Sequence, residues 1–225
     1  MSQWLPEDIS TYGPDVDRLF YLIYYITGFA CIAVLLCMLY FLVKYRHREG
    51  RRATYSHGNN TLEIIWTIVP ALIFVMLGFM SRSVWAHIRQ TLPETDIRVR
   101  VTAKQFNWMM QYPGLDGVLG TADDVKVENS LHVPTGKPVR VILSSDDVIH
   151  SFFLPNARLK QDAVPGRDIE VWFEATKPGK YDIPCAELCG FGHGNMLGYL
   201  TVHDPASFKA WAAEKKAFPV EGGGA

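Results

Sequence analysis

Residues 19–43 and 64–80 contain no Asp, Glu, Lys, Arg or His, and these two runs constrain the chain more than any other feature. At about 1.5 Å of rise per residue, the first is long enough to cross a bilayer as a helix, and the second reaches the usual minimum once its flanks are added. Both are read as membrane spans. A signal peptide would carry positive charge ahead of a shorter apolar core. Here Glu7, Asp8, Asp15 and Asp17 stand against the single Arg18. The first run is therefore expected to be a retained helix, with Cys31 and Cys37 as inert packing residues inside it.

Between the runs lies KYRHREGRRATYSHGNN, with Lys44, Arg46, Arg48, Arg51 and Arg52. Positive loops stay on the cytoplasmic side, which puts both the acidic N-terminus and everything after about residue 81 outside. The second run begins NTLEIIWTIVPALIF. Glu63 stands at the cytoplasmic edge of that span, either as a carboxylate reaching for water or as a functional group. Trp66 reads as an interface anchor and Pro70 as a bend.

After a short connector at 82–93, the apolar period changes from helical to alternating. Strands are expected at 97–102, 139–144, 168–174 and 199–203, separated by the turn signals PTGKP, VPGR and KPGK. Several short strands at this spacing suggest a β-sandwich of about 110 residues. A closing helix follows, with Asp204 as N-cap, Pro205 in its first turn, and Phe208 and Trp211 packing it back onto the domain. The final VEGGGA reads as disordered. A net charge of -1 with 12% aromatic residues gives no reason to expect nucleic acid as a partner.

The sandwich carries one chemically loaded stretch, CAELCGFGHGNM, at residues 185–196. It supplies Cys185, Cys189, His193 and Met196. Two thiolates, an imidazole and a thioether suit copper better than harder metals, and zinc rarely uses a thioether. The glycines at 190, 192, 194 and 198 favour a loop wrapped closely around something over a helix. His150, in DVIHSFFLP, follows a strand-like run and is placed to complete the site from a neighbouring strand. Each residue alone has a plain structural reading, a disulfide or a packing methionine. Their joint occurrence points to a metal site. A mononuclear blue-copper site needs only one Cys, so the second suggests two coppers bridged by two thiolates.

The loop resembles the binuclear copper centre (CuA) of the cytochrome c oxidase subunit 2 family, whose pattern is C-x-E-x-C-G-x-x-H-x-x-M with an earlier V-I-H-S-F. Every ligand position of that pattern is filled. The resemblance implies that His150, Cys185, Cys189, His193 and Met196 bind copper through side chains and Glu187 through its backbone carbonyl. It further implies that the Glu187 carboxylate reaches a magnesium ion shared with subunit I. The E-x-x-W-T-x-x-P of the second run is similar to the same family, which implies that Glu63 lies at the mouth of a proton-uptake path.

The implied architecture is a membrane α plus β chain, a two-helix transmembrane hairpin followed by a cupredoxin-like β-sandwich. Its divisions are an extracytoplasmic segment at 1–18, the hairpin at 19–90 with a cytoplasmic loop at 44–60, the CuA domain at 91–204, and a C-terminal helix and tail at 205–225. The implied function is electron input to a terminal respiratory oxidase of a bacterial inner membrane. The copper centre accepts electrons from cytochrome c, or another haem c donor, and passes them to haem in subunit I, which reduces oxygen to water and pumps protons. Subunit III is a further implied partner. No CxxCH is present, so the haem is expected only in the partner subunit.

Two departures from the family pattern stand out. The aromatic electron-input segment usually reads Q-W-x-W and here reads Gln105-Phe106-Asn107-Trp108, so a ring remains at both positions but the first is Phe106. The second departure is an insert at 113–124, in which Asp116, Asp123 and Asp124 lie among glycines. It reads as a plain surface hairpin, a calcium loop or a docking element for an unusual donor. Asp146, Asp147 and Asp162 are candidates for steering a basic cytochrome. Competing identities are a quinol oxidase subunit, which lacks the copper cysteines, a nitrous-oxide reductase, which is soluble, and a membrane-tethered copper-binding or chaperone protein without respiratory electron transfer.

Overall fold

The computed structural model describes residues 4–52 and 54–218. The final VEGGGA at 220–225, read above as disordered, lies outside the described residues. The chain divides into two units, Asp15–His87 and the remainder.

The first unit is helical: α1 spans Gly13–Lys44 and α2 spans Asn60–Arg89. Asp15 sits in the first turn of α1, where a negative charge complements the helix dipole. The side chain of Asn59 caps α2 by accepting from the N–H groups of Thr61 and Leu62 at 3.0 and 3.2 Å. Apolar side chains stand exposed along both helices, among them Leu36, Phe41, Leu72 and Phe74. Such helices need an apolar solvent around them, which a bilayer provides. The connector expected at 82–93 is mostly helix, because α2 continues to Arg89. Nothing in SRSVWAHIR breaks a helix, and the loss of apolar character there marks an exit from the bilayer, not from the helix.

Among the described residues of the second unit ten strands follow: β1 Arg98–Lys104, β2 Asn107–Tyr112, β3 Val125–Glu128, β4 Ser130–Pro134, β5 Pro138–Ser145, β6 His150–Leu154, β7 Leu159–Ala163, β8 Ile169–Glu174, β9 Gly179–Pro184 and β10 Leu197–His203. They form a five-stranded sheet ordered β3-β2-β1-β5-β8, a three-stranded sheet ordered β4-β10-β9, and the β6-β7 pair. β1 runs parallel to β5, and β4 parallel to β10. Period-two alternation turns Val99, Val101 and Ala103 of β1 and Val139, Val141 and Leu143 of β5 inward, fully buried. Trp108, Met110 and Tyr112 of β2 meet Leu131 and Val133 of β4 and Leu200 of β10 in the same core. Each buried Val, Leu or Met among them contributes about 1.5–3 kcal/mol of burial.

The strands expected from alternation correspond to β1, β5, β8 and β10, and the other six lack that pattern or carry it only weakly. β6 is buried on both faces at His150, Ser151 and Phe152, and β9 reads GKYDIP, so neither alternates cleanly.

The segment before α1 is built into the sandwich. Ile9 and Tyr12 are buried, Ser10 pairs with Ala175, and the Ile9 N–H donates to the Asn156 carbonyl at 2.9 Å. Tyr12 stands edge-on to Trp172. The closing helix α3, Pro205–Lys215, is capped by Asp204, which accepts from the N–H groups of Ala206 and Ser207, both at 3.0 Å. Phe208 is buried, and Trp211 stacks on His132 with centroids 4.5 Å apart.

Candidate metal centre

The loop between β9 and β10 is closed at its base by the Cys185 N–H, which donates to the Met196 carbonyl at 3.1 Å. Two further contacts bind it to β6: Cys185 bridges to Phe152, and the Ala186 N–H donates to the Ser151 carbonyl at 3.0 Å. Cys185 is thereby brought beside His150, the first residue of β6. Cys185 Sγ lies 3.9 Å from His150 Nδ1 and 3.9 Å from Cys189 Sγ. Cys189 Sγ lies 3.6 Å from His193 Nδ1 and 3.8 Å from Met196 Sδ. The Glu187 carbonyl points inward, 3.3 Å from Cys185 Sγ, while its side chain is exposed. All six residues expected at the site are therefore together. Among the described residues, His150, Cys185 and Cys189 form the one close grouping of three such donors.

The chemistry of this donor set suits soft metal. His150, Cys185, Cys189 and Met196 are buried and His193 half-buried. Burial first, and then the neighbouring Cys185, push the Cys189 thiol up to about 11. Without metal the loop therefore holds protons that metal binding must displace.

Asp147, counted from the sequence among steering charges, has a different place. Its Oδ1 lies 2.8 Å from His150 Nε2, which leaves Nδ1 facing the sulfurs. A carboxylate behind a metal-ligating imidazole fixes its tautomer and orientation. Burial raises the Asp147 carboxyl, and hydrogen bonds from the Gln105 N–H, His150 and the Val148 N–H outweigh it, holding the group at about 2. The spacing of three residues between Asp147 and His150 was the available signal, and it does not separate this role from a surface charge. Asp146 is exposed and Asp162 half-buried.

The two aromatic residues of the electron-input segment part company. The Phe106 ring is 38% exposed and lies against the loop: a Cβ added at Gly192 would come within 2.5 Å of it. Trp108 is fully buried, edge-on to His150 at 6.1 Å and to Phe152 at 5.6 Å. Phe106 lies in the turn before β2, whereas Trp108 is on the inward face of β2 itself. Glu63 lies in the first turn of α2, exposed, in the other unit.

The insert is a hairpin loop joining β2 to β3. Its carboxylates are occupied by the loop and by β2 beside it. Asp124 accepts from Gly120 N–H at 2.6 Å and from the Gln111 amide; Asp123 accepts from the Thr121 hydroxyl at 2.6 Å; Asp116 accepts from Val118 N–H at 2.8 Å.

Two apolar helices followed by a β-sandwich with a sulfur- and imidazole-lined loop define a membrane-anchored, cupredoxin-like metal protein. The family pattern for the cytochrome c oxidase subunit II periplasmic domain matches residues 102–201, and that for its transmembrane domain matches residues 2–84. The chain belongs to the cytochrome c oxidase subunit II family, whose role is electron input through CuA. The alternative cytochrome c oxidase subunit 2 of Bradyrhizobium diazoefficiens is 34% identical, covering 96% of this chain and 86% of the relative. Cytochrome c oxidase subunit 2 of Thermostichus vulcanus is 32% identical, over 95% of this chain and 79% of the relative. The crystal structure of the periplasmic domain of subunit II of cytochrome oxidase from Bradyrhizobium japonicum superimposes with a TM-score of 0.50 at 31% identity. It covers 56% of this chain and 97% of that one.

Proposed function

We propose that His150, Cys185, Glu187, Cys189, His193 and Met196 hold two copper ions, and that through them this chain takes electrons from a c-type cytochrome for haem in subunit I. The observation that carries this reading is the pairing of donors: His150 stands beside Cys185, and His193 beside Cys189, with the two sulfurs 3.9 Å apart. That is one His–Cys pair for each of two metals, where a mononuclear site uses one Cys. Bound copper would supply one-electron transfer, with the unpaired electron shared across both thiolates.

The protein's part is to keep the first shell fixed between redox states, so that little rearranges on electron transfer. The β6 and β9 strands anchor His150 and Cys185, and Asp147 locks the His150 ring. Electrons are received on the Phe106 face, where a ring borders solvent and the loop together. Trp108 backs His150 from inside. The exposed Glu187 carboxylate is available for magnesium at the border with subunit I, and Glu63 for the start of a proton path there. The basic loop between the spans supports an orientation with the copper domain and both termini on the periplasmic side of a bacterial inner membrane, and subunit III is a further partner of this reading.

Stopped-flow mixing of the purified oxidase with a reduced c-type cytochrome tests the reading. Donor oxidation should track bleaching of the copper absorption, and Phe106→Ala should slow it while copper content stays constant. Donor oxidation that proceeds without copper reduction would refute it.

A further inference from the structure

Gln105 is not one of the six ligand residues, yet it joins the two chain segments that carry them. Its side-chain amide donates to the Cys189 carbonyl at 2.6 Å. Its backbone N–H donates to Asp147 Oδ2 at 2.8 Å, and the other oxygen of that carboxylate holds His150 Nε2 at 2.8 Å. One residue therefore fastens the sulfur loop at Cys189 and, through Asp147, the imidazole at His150. The amide is also packed against the loop: a Cβ at Gly190 would come within 2.7 Å of Gln105 Nε2 and 3.3 Å of the Phe106 ring. Gly190 itself has φ +136°, a conformation that resists any other residue. The loop backbone is thus shaped around the Gln105 amide, not merely near it.

We propose that Gln105 is a positioning residue for the metal centre, setting the separation of the Cys189 and His150 segments and so the electronic symmetry of the two metal positions. The proposal rests on the donor set assigned above. Outer hydrogen bonds of this kind fix ligand orientation and tune a metal's potential. A glutamine is suited to it because its neutral amide donates to a carbonyl without placing charge beside the thiolates. A purely packing role would be met equally well by methionine.

The test compares wild type, Gln105→Met and Gln105→Glu in the assembled, copper-loaded oxidase. Methionine keeps the length and removes the donor, and glutamate keeps the shape but turns an acceptor towards the Cys189 carbonyl. Copper content, EPR spectrum, midpoint potential, and kcat and KM for the cytochrome donor are measured for each. The expected result is two coppers per chain with an altered hyperfine pattern and a shifted potential in both variants, and a fall in kcat larger than any change in KM. Should a variant lose copper, the copper-free chains decide: the His150 imidazole NMR signal and hydrogen exchange at the Cys189 and Gly190 amides should both change. Unchanged spectra and potential, with only KM raised, would make Gln105 a docking residue and overturn the proposal. A lowered melting temperature with wild-type spectra would make it structural only, with the same consequence. Failure of wild type itself to bind two coppers would instead overturn the donor assignment.

Discussion

Replacing Asp147 with alanine should weaken copper binding without unfolding the sandwich. Three donors converge on this carboxylate: the Gln105 N–H at 2.8 Å, the Val148 N–H at 2.7 Å and His150 Nε2 at 2.8 Å. Hydrogen bonds to a charged group are worth about 1.5–3 kcal/mol each. The side chain is 24% exposed, so water recovers part of what alanine removes. A loss of about 2–4 kcal/mol in the copper-free protein follows. The larger effect falls on the metal, because His150 is fully buried and loses the partner that holds its Nδ1 towards the sulfurs. Loss of such a partner costs about 10–100-fold in metal affinity. Asp147→Asn keeps an oxygen acceptor and should lie at the mild end of that range. The assay is copper titration of the full chain in detergent against a competing chelator, with circular dichroism to verify the fold. An Asp147→Ala protein that binds copper within about twofold of wild type would refute the claim that this carboxylate orients the ligand.

Three further outcomes follow. Gly192→Ala places a Cβ 2.5 Å from the Phe106 ring; the ring must swing off the loop, and stopped-flow donor oxidation should slow at unchanged copper content. Asp204→Ala removes the cap of α3 and should cost about 1 kcal/mol, read as a lowered melting temperature with an unchanged copper spectrum. His132 is held at about 4, by burial first and then by the charges of His203 and Lys215. Its folded pKa is depressed, so the unfolded chain takes up the proton first: stability is full above about pH 6.5 and falls as pH drops from there towards about 4. The ring is only half-buried, so solvent screening limits this to about 1–2 kcal/mol; His132→Gln should flatten that part of the acid limb in melts from pH 7 to pH 4.

The membrane spans and the metal loop were legible because their signals are local. A run without charge, or two Cys, a His and a Met within twelve residues, announces itself in one window of sequence. His150 was legible as a candidate because it follows a strand-like run, and the family resemblance made it a specific one. What stayed hidden depends on segments that meet only in the fold. Gln105 and Asp147 are ordinary polar residues in the sequence, and their hydrogen bonds to the Cys189 carbonyl and to His150 exist because the ends of β1 and β5 and the metal loop converge. Phe106 and Trp108 look equivalent, yet the turn between β1 and β2 leaves Phe106 part-exposed while β2 carries Trp108 into the core. The same limit applies to the N-terminal segment: Ile9 and Tyr12 gave no strand signal, and they are ordered by pairing with the far end of β8.

The most direct measurement is the copper content and the EPR spectrum of the oxidised, copper-loaded chain. Two coppers per chain sharing one unpaired electron, with hyperfine splitting from both nuclei, is the predicted result, because each thiolate has its own histidine and the sulfurs adjoin. One copper with a single-nucleus spectrum, or a Cys185–Cys189 disulfide with no copper bound, would contradict it.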